Sequence, residues 1–210
     1  MPSSAEPTPR ELPERSVHFQ GTKVAALALK ALGWELCFNG LPGRQGVLVI
    51  YPHTSNWDFI IGILAKWAIG IPAVLWGKDS LFRIPLFGRF LRAQGGVPVV
   101  RHTPQGAVEQ MIEQMKNACA TGSYMWLALA PEGTRRRTAG WRSGFYRVAV
   151  ACGVPVGLVF LDFGRKRVGM DSFWQLSGRP AADMQLMASR LAGVQGLRPQ
   201  AAAPVTWLGA

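Results

Sequence analysis

Short, continuous runs of apolar residues recur along the chain, separated by segments in which apolar positions repeat every three or four residues. The runs cover residues 46–51, 73–76, 97–100, 124–130 and 156–161. A continuous apolar run of this length is typical of a strand that is buried on both faces of a sheet. We therefore expect a central sheet that helices cover on both sides.

The segments between these runs carry the apolar periodicity of amphipathic helices. One predicted helix begins near Trp57, and a second takes Thr103 as its N-cap. A third stops at Gly153, and a last one surrounds Met184. Segment 78–94 is punctuated by proline and glycine, and it leads into the short run 97–100.

Strands that alternate with helices predict an α/β fold, here a single domain with a mixed, mostly parallel central sheet flanked by helices. The chain has 210 residues, enough for one such domain. We expect the domain to cover residues 41–195. A flexible tail over 1–16 and an amphipathic helix within 17–40 precede it, and a C-terminal tail over 196–210 follows. The first tail lacks the apolar core of a secretory signal.

Composition narrows the class of partner. Lys and Arg number 23 against 12 Asp and Glu, so the formal net charge is +11, while 49% of the residues are apolar and only 17% are charged. This combination excludes a disordered tail and indicates a folded domain that meets phosphate groups or an anionic membrane surface. The three cysteines form no C-x-x-C pair, which argues against a disulfide framework and for a reducing, cytosolic environment.

Two apolar stretches are candidates for membrane contact. The stretch 59–76 has nearly the length of a bilayer span, but Gly70 and Pro72 divide it, which favours a buried helix followed by a buried strand. The stretch 24–36 is too short to span. Its Trp34 and flanking lysines suit a helix in the lipid headgroup region, while packing on the domain is an equally good interpretation.

The loop after the first long run contains His53 and Asp58. With Ser55 as helix N-cap, His53 precedes the helix and Asp58 lies in its first turn. The carboxylate can then accept one ring N–H and leave the other nitrogen free as a base. The alternative is a capping box of Ser55 and Asp58 that needs nothing from His53.

A second polar segment, residues 130–137, also follows an apolar run. Ligands of open α/β sheets bind at the carboxyl ends of the strands. Gly133 allows close backbone approach, Thr134 offers a hydroxyl group, and Arg135 can bind a phosphate through two hydrogen bonds. Arg136 and Arg137 are interpreted as solvated surface charges.

These segments resemble the motifs of a known family. Residues 53–58, His-Thr-Ser-Asn-Trp-Asp, resemble the H-x-x-x-x-D motif of the glycerophospholipid acyltransferases, and residues 131–135 resemble their P-E-G-T-R motif. Residues 77–101 are similar to the family's second motif block and 153–156 to its fourth. Four motifs in the family's order over about 47–163 are a specific signal.

The resemblance implies a fold like that of glycerol-3-phosphate acyltransferase. It also implies transfer of a fatty acyl group from acyl-CoA or acyl-carrier protein to a hydroxyl of a lysophospholipid, with 1-acylglycerol-3-phosphate as the default acceptor. His53 would be the general base and Asp58 its partner, with no cofactor and no metal. The residues implied to bind the acceptor are Lys78, Arg101, Glu132, Gly133, Thr134 and Arg135. The chain departs from the family pattern at Pro52 and Leu158, which leaves the choice of acceptor open.

Other functions stay open at this point. Another lysolipid, such as a lyso-ornithine lipid, is an alternative acceptor. A non-enzymatic basic domain that binds membranes or nucleic acid would explain the clusters Arg135–Arg137 and Arg165–Arg167. We favour the enzyme without a nucleic-acid partner, because the apolar content fits lipid and no nucleic-acid motif is present. Its expected location is the cytoplasmic face of a membrane, peripheral or monotopic. No oligomeric state is predicted.

Overall fold

The computed structural model describes residues 8–99 and 104–208, and within them eight strands form one mixed sheet. The strands are β1 (Arg10–Glu11), β2 (Glu35–Cys37), β3 (Gln45–Tyr51), β4 (Ala73–Lys78), β5 (Gly96–Val99), β6 (Met125–Leu129), β7 (Val156–Asp162) and β8 (Arg167–Gln175). Their order is β1-β8-β7-β3-β6-β4-β5, with β2 paired to β8. The strands from β7 to β5 are parallel to their neighbours, whereas β8 runs antiparallel to β7 and β1 antiparallel to β8. The predicted fold class is confirmed.

Helices cover both faces of the sheet. They are α1 (Lys23–Ala31), α2 (Trp57–Ile69), α3 (Asp79–Phe82), α4 (Pro85–Ala93), α5 (Pro104–Thr121), α6 (Gly144–Cys152) and α7 (Pro180–Arg190), and a 3₁₀ turn covers Pro199–Ala201. Apolar residues of α5, α6 and α7 form one core with the sheet, and α1 and α2 pack on the other face. Strand β3 serves both cores, because Val47 and Val49 face one and Leu48 faces the other. This explains why its sequence is continuously apolar.

The structure adds to the predicted elements at three places. Segment 78–94 contains α3 and α4, the latter opened by Pro85 at its first turn. Strand β8 was not predicted, because glycine and polar residues interrupt its apolar positions. The helix expected within 17–40 ends at Ala31, since Gly33 adopts a left-handed backbone (φ 78°) before β2 begins. The predicted N-cap Thr103 lies outside the described residues.

Helix α1 packs on the domain and also keeps an apolar outer surface. Ala25 and Leu29 are buried, whereas Val24 and Leu27 are 78% and 65% exposed. Trp34 is not placed for lipid headgroups, because it is buried edge-to-face against Phe163 with ring centroids 4.8 Å apart. Among the described residues, no helix is both long enough and apolar enough to cross a bilayer.

The segment after α7 is ordered against the domain instead of forming the tail predicted over 196–210. We call residues 196–208 the strap. Ala203 in its middle is buried in the core beside α7, and the 3₁₀ turn Pro199–Ala201 precedes it. Near its end, Trp207 packs edge-to-face on Tyr146 of α6 at 5.0 Å between ring centroids. The strap passes close to the candidate site described next.

Candidate active site

Two loops meet at the carboxyl ends of the central parallel strands. Strands β3 and β6 are hydrogen-bonded neighbours, and the loop after β3 carries His53 while the loop after β6 carries Glu132. Strand β4 lies on the other side of β6 and ends at Lys78. The carboxyl edge of a parallel sheet is the usual place for a ligand in this fold class.

His53 and Asp58 are in contact, as the motif spacing predicts. Nδ1 of His53 lies 3.2 Å from Oδ2 of Asp58. Asp58 is buried in the first turn of α2, where the partial positive charge of the helix N-terminus favours an anion. The same oxygen accepts the backbone N–H groups of Thr54 (2.6 Å) and Ser55 (2.7 Å). Backbone N–H groups of the His53 loop therefore fix the Asp58 carboxylate, which in turn orients the His53 ring.

Hydrogen bonds at the start of α2 accompany the contact between His53 and Asp58. Oγ of Ser55 accepts the N–H of Trp57 at 3.1 Å while Asp58 accepts the N–H of Ser55, so the local capping bonds are present together with the histidine contact. The N-cap itself is Asn56, one residue later than predicted. The helix start and the His53–Asp58 pair are thus built from the same residues.

The free edge of the imidazole is the chemically available one. The His53 side chain keeps 22% of its surface exposed, and Nε2 makes no hydrogen bond within the described part of the chain. Oδ1 of Asp58 is buried, and it too lacks a hydrogen-bond partner among the described residues. The buried carboxylate therefore fixes the Nδ1 edge of the ring, and the Nε2 edge is the one that an incoming group can reach.

Glu132 occupies a different place from the one that the sequence implied. It is fully buried, and its oxygens accept two backbone N–H groups, that of His53 at 2.6 Å on Oε1 and that of Ala203 at 3.0 Å on Oε2. Burial raises the pKa of this carboxyl, while the two N–H bonds and the nearby His53 oppose the shift. Both oxygens are engaged inside the protein, so Glu132 holds the His53 loop and is not available to an acceptor headgroup.

The other predicted residues of the second loop are less buried than Glu132. Nε of Arg135 donates to the backbone carbonyl of Ser55 at 3.1 Å, and the side chain is exposed. Oγ1 of Thr134 accepts the N–H of Arg136 at 3.3 Å. Gly133 has a left-handed backbone (φ 67°), and a Cβ there would lie 2.8 Å from Nε of Arg142, so the Arg142 side chain lies across it.

Arg142 is a basic residue at the site that the sequence motifs did not indicate. Its backbone N–H donates to the carbonyl of Pro131 at 2.9 Å, which brings it back to the start of the loop. The neighbouring Trp141 is fully buried and anchors the chain at that point, a contact that no motif of the sequence marks. Lys78 is exposed at the same end of the sheet. Arg101 lies outside the described residues.

Within residues 8–99 and 104–208, no three His, Cys, Asp or Glu side chains lie together in a way that could hold a metal ion. The arrangement instead offers a histidine base with a buried carboxylate, next to exposed basic side chains. Such a site can remove a proton from a hydroxyl group of an anionic substrate.

Comparison with known proteins gives matches over the same region. The family model described as Acyltransferase matches residues 35–159, which is more than half of the chain and includes both loops. Human lysophosphatidylcholine acyltransferase 2 is 28% identical over 167 residues, covering 73% of this chain and 29% of the human protein. The Danio rerio protein of the same name is 30% identical over 129 residues, covering 61% of this chain and 23% of that protein. The chain thus spans less than a third of the length of these relatives.

Among solved structures, the 1-acyl-sn-glycerophosphate (LPA) acyltransferase PlsC from Thermotoga maritima matches 71% of this chain and 64% of its own. The sequence identity is 22% and the TM-score is 0.45. Because the family model covers more than half of the chain and both of its loops, the chain belongs to the acyltransferase family, in agreement with its resemblance to the glycerophospholipid acyltransferases.

Proposed function

We propose that the protein transfers a fatty acyl group from a thioester donor, acyl-CoA or acyl-carrier protein, to a hydroxyl group of a lysophospholipid. The observation that carries the proposal is the 3.2 Å contact between Nδ1 of His53 and Oδ2 of the buried Asp58. This contact fixes the tautomer in which Nε2 is free to accept a proton.

The chemistry follows from that tautomer. Nε2 of His53 takes the proton from the acceptor hydroxyl, and the oxygen of that hydroxyl attacks the carbonyl carbon of the thioester. Asp58 stabilises the imidazolium that forms. The tetrahedral adduct then collapses. Its carbon–sulfur bond breaks, an ester forms, and the thiolate leaves and takes the proton back from His53. No covalent link between enzyme and acyl group is needed.

Basic side chains around the site favour an acceptor that carries a phosphate. Arg135 presents a guanidinium group, and Arg142 and Lys78 add charge at the same end of the sheet. Arg101 is added to this set by the family resemblance alone. Lysophosphatidylcholine, the substrate that the name of the similar human protein implies, contains a phosphate. We take 1-acylglycerol-3-phosphate as the default acceptor.

We further propose that the protein works at an anionic membrane surface on the cytoplasmic side. Three adjoining helices carry exposed apolar residues. They are Val24 and Leu27 on α1, Trp57 on α2 (52% exposed) and Leu86 on α4 (81% exposed). Helix α1 packs on α2, and Phe59 of α2 contacts Phe87 of α4. Apolar side chains in a chain of net charge +11 suit peripheral binding to anionic lipid.

The test is a thiol-release assay with the purified chain. Acyl-CoA and acyl-carrier protein are each offered with 1-acylglycerol-3-phosphate, lysophosphatidylcholine, a lyso-ornithine lipid and a lysolipid without phosphate, and the product is identified by mass spectrometry. We expect esterified product with a phosphate-bearing acceptor. Preference for an acceptor without phosphate contradicts the assigned substrate class, and absence of product with every pair contradicts the activity.

A further inference from the structure

The strap contacts the first loop just before the histidine. The hydroxyl of Tyr51 donates to the backbone carbonyl of Ala203 at 3.1 Å. Tyr51 is the last residue of β3, so it marks the point at which the chain leaves the sheet toward His53. Burial and the Glu132 carboxylate both raise the pKa of the Tyr51 phenol, which keeps the hydroxyl a donor.

The strap contacts the same loop again just after the histidine. Oγ1 of the buried Thr54 accepts the backbone N–H of Arg198 at 3.3 Å. Gly196 lies so close that a Cβ at this position would be 2.6 Å from the same oxygen. A side chain there would displace Thr54, so the strap fits this loop only with glycine at 196. His53 is therefore bracketed by two strap contacts.

The second loop is held by the strap at both of its ends. Near its start, the N–H of Ala203 donates to Oε2 of Glu132, whose other oxygen accepts the N–H of His53. At its end, the N–H of Trp141 donates to the carbonyl of Thr206 at 2.8 Å, and the N–H of Leu208 donates to the carbonyl of Trp141 at 3.2 Å. Ala203 thus binds one loop through its N–H and the other through its carbonyl.

We propose that the strap is a positioning element for the reaction, and that Ala203 acts on His53 through Glu132. A fully buried carboxylate needs both of its oxygens paired, because an unpaired buried acceptor is costly. Loss of the Ala203 N–H leaves Oε2 unpaired, so Glu132 shifts and carries the His53 backbone with it. Displacements of about 1 Å at a catalytic group cost on the order of 100-fold in rate. This inference rests on the proposed function for its kinetic consequence.

The experiment compares three variants of the whole chain. Ala203→Pro removes the backbone N–H, Ala203→Gly keeps it and serves as the matched control, and Tyr51→Phe removes only the hydroxyl that holds the Ala203 carbonyl. Two quantities are measured in each folded variant: kcat and KM for acyl transfer, and the residue-resolved hydrogen exchange of the His53 amide. The second directly reports the bond from His53 to Glu132.

We expect Ala203→Pro to lower kcat about tenfold or more and to speed exchange of the His53 amide by about tenfold, with KM for both substrates within about twofold. Tyr51→Phe should also lower kcat and speed exchange of the His53 amide. If Ala203→Pro does not fold, Tyr51→Phe is the variant that tests the proposal. Ala203→Gly should stay within about twofold of the wild type.

Unchanged kcat and amide protection in Tyr51→Phe and in folded Ala203→Pro would overturn the proposal. So would an equal loss in Ala203→Gly, because the strap would then act through packing and not through its N–H. The exchange measurement needs no turnover. If the wild type transfers no acyl group, the proposed function fails, while faster exchange in the variants still shows that the strap holds His53.

Discussion

Nε of Arg135 donates a hydrogen bond to the backbone carbonyl of Ser55 at 3.1 Å. Ser55 lies between His53 and Asp58, so the arginine of one loop is attached to the loop that carries the base. We infer that a phosphate bound by Arg135 is held at a fixed place relative to His53. A contact between the two family motifs would then link acceptor binding to catalysis.

The first prediction concerns this arginine. Arg135→Lys keeps the positive charge but loses both the planar fork and the Nε donor, so it should be nearly as damaging as Arg135→Ala. We expect KM for a phosphate-bearing acceptor to rise on the order of 10- to 100-fold, with KM for the donor changed much less. Steady-state kinetics with each substrate varied in turn measures both.

Arg136→Lys is the matched control, because Arg136 is an exposed neighbour whose side chain has no assigned role. It should leave both KM values within about twofold. Equal sensitivity of phosphorylated and unphosphorylated acceptors to Arg135→Lys would show that Arg135 acts on the loops alone and does not bind phosphate.

The second prediction separates the two roles of Asp58. Asp58→Asn should lower kcat by about 100-fold or more, because the imidazolium loses its anionic partner. It should also lower Tm by roughly 2–4 °C, since weakening the bonds from Thr54 and Ser55 costs about 1 kcal/mol. Ser55→Ala removes only the bond from Trp57, so it should lower Tm similarly while kcat stays within about threefold. A comparable loss of kcat in Ser55→Ala would mean that helix capping, not the carboxylate, supports catalysis.

The third prediction follows from the raised pKa of Glu132. Because burial raises this pKa above its ordinary value of 4.5, the folded protein binds the proton more tightly than the unfolded chain does. The contribution to stability is therefore complete below pH 4.5 and is lost as the pH rises through the folded-state pKa. Relative to Glu132→Gln, the free energy of unfolding of the wild type should fall with rising pH, by at most about 1.4 kcal/mol per pH unit.

Chemical denaturation of the wild type and of Glu132→Gln, from pH 4.5 upward, measures this difference in the free energy of unfolding. The titration of all other groups is common to the two proteins and cancels. If the free energy of unfolding of the wild type instead rises with pH relative to Glu132→Gln, the two N–H bonds outweigh burial and lower the pKa of Glu132.

The fourth prediction concerns the membrane surface. Leu27→Glu places a negative charge on the outer face of α1 without disturbing the buried Ala25 and Leu29. It should reduce co-sedimentation with anionic vesicles at least several-fold. Val150→Glu is the control, because Val150 is 43% exposed on α6, on the opposite face of the sheet. Equal loss in both variants would mean that net charge, not the α1 surface, governs binding.

The central parallel strands β3, β6 and β7 were predictable because they are buried on both faces and carry nearly continuous apolar runs. Strand β8 was not, because it lies outside the parallel core and its polar residues and glycine hide the pattern. Helices α3 and α4 were missed for a related reason. They are short, and Pro85 opens α4 where the sequence pattern indicates only a break.

The His53–Asp58 contact was predictable because both residues lie in one short segment whose geometry a helix start controls. The place of Glu132 was not. Its second partner, the N–H of Ala203, is a backbone group 71 residues away, and no side-chain motif marks it. Arg142 reaches Gly133 only because the loop folds back to Pro131. Contacts made by distant backbone leave no signature in a single sequence.

The most direct test of the central claim is kcat for acyl transfer by His53→Ala, compared with His18→Ala. His18 is an exposed histidine outside the two loops, so its replacement controls for the loss of an imidazole as such. We expect His53→Ala to lower kcat by about 100- to 10,000-fold or more with little change in Tm, while His18→Ala keeps kcat within about twofold. Near-normal turnover by a folded His53→Ala protein would contradict the claim that His53 is the general base.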